Sequence, residues 1–256
     1  YFNVSLFVAG VVGIYGFSQL FGFAKIHQGS ARIDASLGNA IYLAVYMMFN
    51  SLLAIYMAFD SAEKKNNDTS LYAVSLYSIL AIVFAFLMFE TSTRGVVLGY
   101  ILGIIVGLIM LAISGKNKQT KLISVALIAS ILIVGGIFWS IKDTKFVQNN
   151  PNLKRFAEIS LSDTKTQARG YIWPMAVKGV FSTPKTSIIG WGQENFNYIF
   201  NANYNPEMWR HEQWFDRAHN TYLDWLVAGG VIGLLAYLSI FIFTLVSIAK
   251  SNLNIN

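Results

Sequence analysis

The chain has 256 residues, 55% hydrophobic and only 12% charged, with no cysteine and a formal net charge of +6 from 19 Lys+Arg against 13 Asp+Glu. Folded soluble proteins carry roughly a quarter charged residues, so this deficit and the positive mean hydropathy exclude an ordinary soluble domain and point to a surface that faces lipid. The missing cysteines exclude disulfides, thiolate nucleophiles and Cys-bearing metal sites, and the modest basic surplus fits membrane topology and anionic head groups better than nucleic acid.

Six stretches, near 4–24, 39–59, 71–89, 95–113, 122–141 and 222–249, are apolar over the roughly 20 residues that a helix needs to span a bilayer. The first lacks the short core and small-residue cleavage site of a secretory signal. Because the chain also opens at Tyr1, the sequence is expected to be a fragment preceded by further spans. Only Glu90-Thr91-Ser92-Thr93-Arg94 separates the third and fourth stretches, which predicts a tight helical hairpin. Residues 142–220 are different. They hold ten of the 19 basic residues together with Trp173, Trp191, Trp209 and Trp214, a content too aromatic for disorder, and short helices are predicted there.

Short cytoplasmic connections are enriched in Lys and Arg, whereas long loops translocate largely regardless of charge. With Lys64, Lys65, Lys116, Lys118, Lys121 and Lys250 on the cytoplasmic face, only Lys25, Arg32 and Arg94 fall in the opposite short loops. This orientation places the 142–220 loop, the 90–94 connection and the 25–38 loop together on the outer face. The expected fold class is therefore an all-α integral membrane protein. It is a polytopic helical bundle with five spans over 1–141, a large and partly helical outer loop over 142–220, and the last span with a cytoplasmic tail over 221–256.

Five features could carry chemistry. Arg94 begins Arg94-Gly95-Val96-Val97, and is either an anion-binding group or an interfacial arginine paired with Glu90 at i, i+4 of a continuing helix. Arg169 precedes Gly170-Tyr171-Ile172-Trp173-Pro174, read as the start of a helix with Pro174 in or near its first turn. Two guanidinium groups on one face suit a pyrophosphate, because each presents a planar fork that stays charged. His219, directly before the last span, is either an interfacial polar residue or a general base, since an imidazole with a pKa near about 6.5 can take a proton from a sugar hydroxyl. A metal set of His211, His219, Asp216 and Asp224 matches no ligand spacing. The run Gly190-Trp191-Gly192-Gln193-Glu194-Asn195-Phe196 lacks a full phosphate-loop fingerprint and reads as a tight turn.

The order and spacing of Arg32 with Leu37-Gly38-Asn39, Ser92-Thr93-Arg94-Gly95, Arg169 with Trp173, Gly190 to Phe196, His219-Asn220-Thr221-Tyr222-Leu223 and Gly229-Gly230-Val231-Ile232-Gly233 resemble the O-antigen ligase family of bacterial surface-glycan ligases and polymerases. The proline often found after Gly38-Asn39 and the acidic residue common before the final glycines are absent. The resemblance implies a helical glycosyltransferase of the bacterial inner membrane with its site facing the periplasm or cell exterior. Such an enzyme works without metal or cofactor and uses an undecaprenyl-pyrophosphate-linked glycan as donor. It implies Arg94 and Arg169 as pyrophosphate ligands, Arg32 as a possible addition, and His219 as the base that activates an acceptor hydroxyl on a lipid A core sugar, another glycan or a protein. A transporter or flippase of lipid-linked sugars is the non-enzymatic alternative. It would show broken midplane helices in paired repeats, and the glycine-rich spots at 95–107 and 229–233 do not occupy corresponding positions.

Overall fold

The computed structural model describes residues 1–28, 32–63, 68–115, 117–158, 164–210 and 213–252. Lys64, Lys65 and Lys116, used above to orient the chain, lie outside the described residues, as does His211. Every regular element among the described residues is helical: α1 (Phe2–Leu20), α2 (Ala40–Glu63), α3 (Asp68–Glu90), α4 (Arg94–Ser114), α5 (Lys118–Ile141), α6 (Lys145–Asn149), α7 (Pro151–Ala157), α8 (Thr164–Val180), α9 (Pro184–Ile189), α10 (Phe196–Ala202) and α11 (Thr221–Asn252), with short 3-10 turns at Ala35–Leu37 and Pro206–Arg210. Six of these, α1 to α5 and α11, are long and apolar enough to cross a membrane. The chain divides into two compact units, Tyr1–Glu158 and Ile159–Asn256.

In the first unit α1, α2 and α3 share a core of Leu6, Leu43, Met47, Phe84 and Leu87, each almost wholly buried. Gly13 lets α1 approach α3 closely, for a Cβ there would stand 3.1 Å from the Leu87 side chain. Between apolar helices a polar contact has no water to compete with it, and bonds of this kind tie the helices of this unit together. The Ser5 hydroxyl donates to Asn50 Oδ1 at 3.0 Å, and Ser51 donates to the Ala81 carbonyl at 2.8 Å while its oxygen lies 2.8 Å from the Tyr100 hydroxyl of α4. Helix α3 packs chiefly along α2, and α4 along α5. The 90–94 connection thus joins two helix pairs and does not close a hairpin of its own.

The first span ends at Leu20, four residues before its apolar stretch does. Gly22 takes a left-handed φ of 78°, Phe23 N–H donates to the Ser18 carbonyl at 2.7 Å, and Gly22 N–H to that of Gln19 at 3.1 Å. That double wrap satisfies the last carbonyls and stops the helix whatever the hydropathy of the residues beyond it.

The second unit is built on α8, α10 and the start of α11, around Ile172, Ala176, Val180, Ile199, Phe200 and Val227. Gly179 allows α8 to lie against α10, since a Cβ there would meet the Ile199 side chain at 2.4 Å. Pro174 sits inside α8, not in its first turn. Its missing N–H leaves the Gly170 carbonyl without the usual helical donor, a defect the helix sustains because Ile172, Met175 and Ala176 are buried in this core.

Helix α11 is broken at Gly230, where φ is 63° and ψ −159°, a backbone region essentially reserved for glycine. The break frees the carbonyls of Val227 and Ala228 from their helical donors. Trp191 N–H and Gly192 N–H take them up at 2.7 and 3.0 Å. The Gly190-Trp191-Gly192 turn is thus a backbone staple on the kink, and it leaves a segment from Val231 onward still long enough to span a bilayer.

Candidate functional site

In the first unit the loop after α1 is closed by Asp34, which is fully buried. Gln19 Nε2 donates to its Oδ1 at 2.7 Å, and the backbone N–H groups of His27 and Gln28 donate to its Oδ2 at 2.9 and 2.8 Å. Gln19 Oε1 in turn accepts from the N–H groups of Asp34 and Ala35 at 3.0 and 2.7 Å. Burial alone would raise the Asp34 pKa, but the hydrogen bonds from Gln19, Gln28 and His27 outweigh it and hold the carboxyl below its usual range. A carboxyl with a depressed folded pKa stabilises the protein fully above the ordinary value of about 3.9. That stability is lost as the pH falls through the lower folded value. Thermal stability of the wild type is therefore expected to decline from about pH 5 downward more steeply than that of Asp34→Asn, which lacks the charge and is less stable at pH 7 by about 2 kcal/mol. Parallel melting profiles of the two proteins across this range would contradict the assignment.

This closed loop carries Arg32. Its Nε donates to the Thr91 carbonyl at 2.8 Å and its Nη2 to Thr93 Oγ1 at 2.7 Å. Arg32 therefore braces the turn that presents Arg94. Burial, and then the charge of Arg155, lower its pKa.

The helix does not continue from Glu90 to Arg94, because Ser92 adopts a left-handed φ of 52°. The i, i+4 pairing that a continuing helix would allow, one of the two readings of Arg94, loses the helical geometry it needs. Glu90 Oε2 instead accepts from Asn152 Nδ2 at 2.8 Å, and Arg94 Nη2 lies 3.7 Å from Glu158 Oε2. Asn152 also accepts from the Ser92 hydroxyl, and Phe156 stacks on Phe89 at 5.4 Å. These contacts dock α7 on the turn and bring Arg155 to the same end of the unit as Arg32 and Arg94. In the sequence Arg155 is one of the ten basic residues of the 142–220 loop and belongs to no motif. Its Nε is buried with no hydrogen-bond partner among the described residues. An unpaired buried guanidinium nitrogen beside a second cation is a costly arrangement, and an anion relieves it.

In the second unit Arg169 is exposed on α8. His219 is held by its neighbours. Ala218 N–H donates to Asp224 Oδ1 at 2.8 Å, and the Ala218 carbonyl accepts from Trp173 Nε1 at 3.1 Å. With that peptide pinned on both sides, His219 takes a left-handed φ of 51°, its ring edge-on to Phe215 at 5.5 Å and its Nε2 3.9 Å from Asp216 Oδ1. Asn220 then caps α11, its side chain accepting from Tyr222 N–H at 3.1 Å. The run His219 to Asp224 thus encodes a presented imidazole, a helix cap and an anchoring carboxylate. Trp173 and Asp224 are positioning residues whose pairing with Ala218 has no sequence signature. Asp216 is engaged by Arg217 at 3.2 Å, which raises the arginine's pKa, and Asp224 by Ala218.

Chemically, the first unit offers fixed cations for a phosphorylated ligand and the second a half-exposed imidazole backed by a carboxylate. A family model described as O-antigen ligase matches residues 79–238, more than half of the chain, and takes in Arg94, Arg155, Arg169 and His219 but not Arg32. No curated protein and no solved structure matches the chain.

Proposed function

The chain belongs to the O-antigen ligase family, a group of glycosyltransferase-type ligases and polymerases, and is a multi-pass membrane protein; on that premise we propose that it moves a glycan from undecaprenyl pyrophosphate to an acceptor hydroxyl. The acceptor is a lipid A core sugar or another surface glycan. The reaction runs at the periplasmic or exterior face of the inner membrane. The pinned, left-handed His219 inside the matched region is the observation that carries this reading.

In the proposed step the acceptor oxygen attacks the donor anomeric carbon as the bond from that carbon to the phosphate oxygen breaks, so the configuration inverts. The acceptor proton passes to His219 Nε2, where Asp216 stabilises the imidazolium, and the electron pair leaves with the lipid pyrophosphate. Arg94 and Arg169 hold that pyrophosphate and stabilise its growing charge, where fixed cations help most. Arg155 joins them as a phosphate ligand, and Arg32 acts through the turn it braces. The guanidinium groups supply the positive charge that a metal ion provides in other phosphate-releasing sites.

Each charge-assisted contact to phosphate contributes enough that Arg94→Ala and Arg155→Ala are expected to weaken donor binding roughly tenfold to a hundredfold. The measurement is equilibrium binding of an undecaprenyl-pyrophosphate glycan to the protein in nanodiscs. Unchanged donor affinity in both variants would remove the arginines from the donor site.

A further inference from the structure

The second unit contains a cleft of about 240 Å³ whose walls mix polar and apolar groups. It lies close to the lower end of the ~300–1,000 Å³ typical of small-ligand sites, a size for a small polar unit and not for an extended peptide or lipid. One wall is the Glu194–Asn197 turn, another carries Trp214, Asp216 and Arg217, and Asp224 stands at the base of α11. Glu194 keeps a left-handed φ of 62° in this turn. Trp214 is more than half exposed, leaving its indole open to a ligand.

The polar lining is rich in hydrogen-bond acceptors. Three carboxylates, Glu194, Asp216 and Asp224, face one guanidinium, Arg217, which is already paired with Asp216. Asn197 also lines the cleft, and its Oδ1 is buried with no hydrogen-bond partner among the described residues, an unsatisfied acceptor that a small side-chain rotation would offer to a donor. A ligand suited to this lining brings several O–H or N–H donors, an apolar face for the indole and no negative charge. Sugars meet that description: their hydroxyls donate to carboxylate and amide oxygens, and their C–H faces lie on aromatic rings. A phosphate, by contrast, meets carboxylates. The site that takes the donor pyrophosphate is thereby separated in charge from this one.

We propose that this cleft seats the acceptor sugar, and that its carboxylates select neutral or amino sugars over uronates and phosphorylated sugars. The assignment rests on the transfer reading above for its role, because Asp216 both lines the cleft and stands 3.9 Å from His219 Nε2, so a seated sugar shares a wall with the base. Trp214 and Asn197 hold the ring, and Glu194 sets the charge preference.

The test separates binding from chemistry. Saturation-transfer NMR on the protein in nanodiscs, without any lipid-linked donor, would compare a neutral hexose disaccharide, a glucosamine disaccharide and a glucuronate-containing disaccharide. Wild type is expected to bind the first two at least tenfold more tightly than the third. Trp214→Ala and Asn197→Ala should lose the neutral sugar by tenfold or more. Glu194→Gln, which keeps the shape of the turn, should narrow the discrimination against glucuronate several-fold even if the truncating variants fold poorly. Equal binding of all three sugars, or Glu194→Gln selectivity identical to wild type, would overturn the proposal. If glycan transfer proceeds with an acceptor KM unmoved by Trp214→Ala, the cleft assignment fails while the transfer reading stands. If sugar binding follows this pattern but no transfer occurs, the transfer reading fails instead.

Discussion

Replacement of His219 by Asn is expected to lower the rate of glycan transfer by about 10²- to 10⁴-fold, the usual contribution of a positioned general base, while leaving donor affinity within about twofold of wild type. Asn is the informative substitute because the position has a left-handed φ of 51°, a conformation that Asn and His adopt far more readily than Ala. The backbone pinned by Trp173 and Asp224 is then preserved, and only the proton acceptor is lost. A fall in rate accompanied by an equal fall in donor affinity would show that the position binds and does not catalyse. Transfer at the wild-type rate would remove His219 from the chemistry altogether.

The second large effect is structural. Gly230→Ala is expected to destabilise the second unit by about 3–5 kcal/mol, at the top of the range for single substitutions. A Cβ at Gly230 would lie 2.3 Å from the Ile188 carbonyl oxygen and 2.6 Å from the Ile189 nitrogen, both backbone atoms with no rotamer to yield. The φ of 63° with ψ of −159° adds strain that no side chain relieves. Gly229→Ala is the control, since a Cβ there meets nothing within 4 Å. Thermal unfolding in detergent should show a fall of about 6–12 °C for Gly230→Ala and little change for Gly229→Ala. Similar melting temperatures for both would mean that the staple of Trp191 and Gly192 on Val227 and Ala228 does not hold the kink.

That contrast also shows what was legible in the sequence. The six spans could be read because lipid requires roughly 20 consecutive apolar residues of any crossing helix, and hydropathy records that requirement directly. Helix ends were less legible, since Gly22 ends α1 through backbone wrapping within an apolar stretch. Gly190, Trp191 and Gly192 announced a turn, but the carbonyls they satisfy belong to α11, more than 30 residues on. Nothing local reveals such a partner. Arg32, in sequence a possible addition to the phosphate ligands, braces the turn at Thr91 and Thr93, whereas Arg155 carries no motif and gains its interest only when Asn152 and Phe156 dock α7 beside Arg32 and Arg94. His219 was legible as a residue type before a span. Its presentation by Asp224 and Trp173 depends on pairings that no spacing rule encodes.

Glycan transfer makes and breaks a bond, whereas transport moves an intact lipid-linked sugar across the membrane. The most direct test of transfer follows the purified protein in sealed liposomes with an undecaprenyl-pyrophosphate glycan and a glycan acceptor, measuring released undecaprenyl pyrophosphate and the anomeric configuration of the product by NMR. Mole-for-mole release with a new, inverted glycosidic bond, abolished in His219→Asn, is the predicted result. Movement of intact donor between leaflets with no release and no new bond would contradict it.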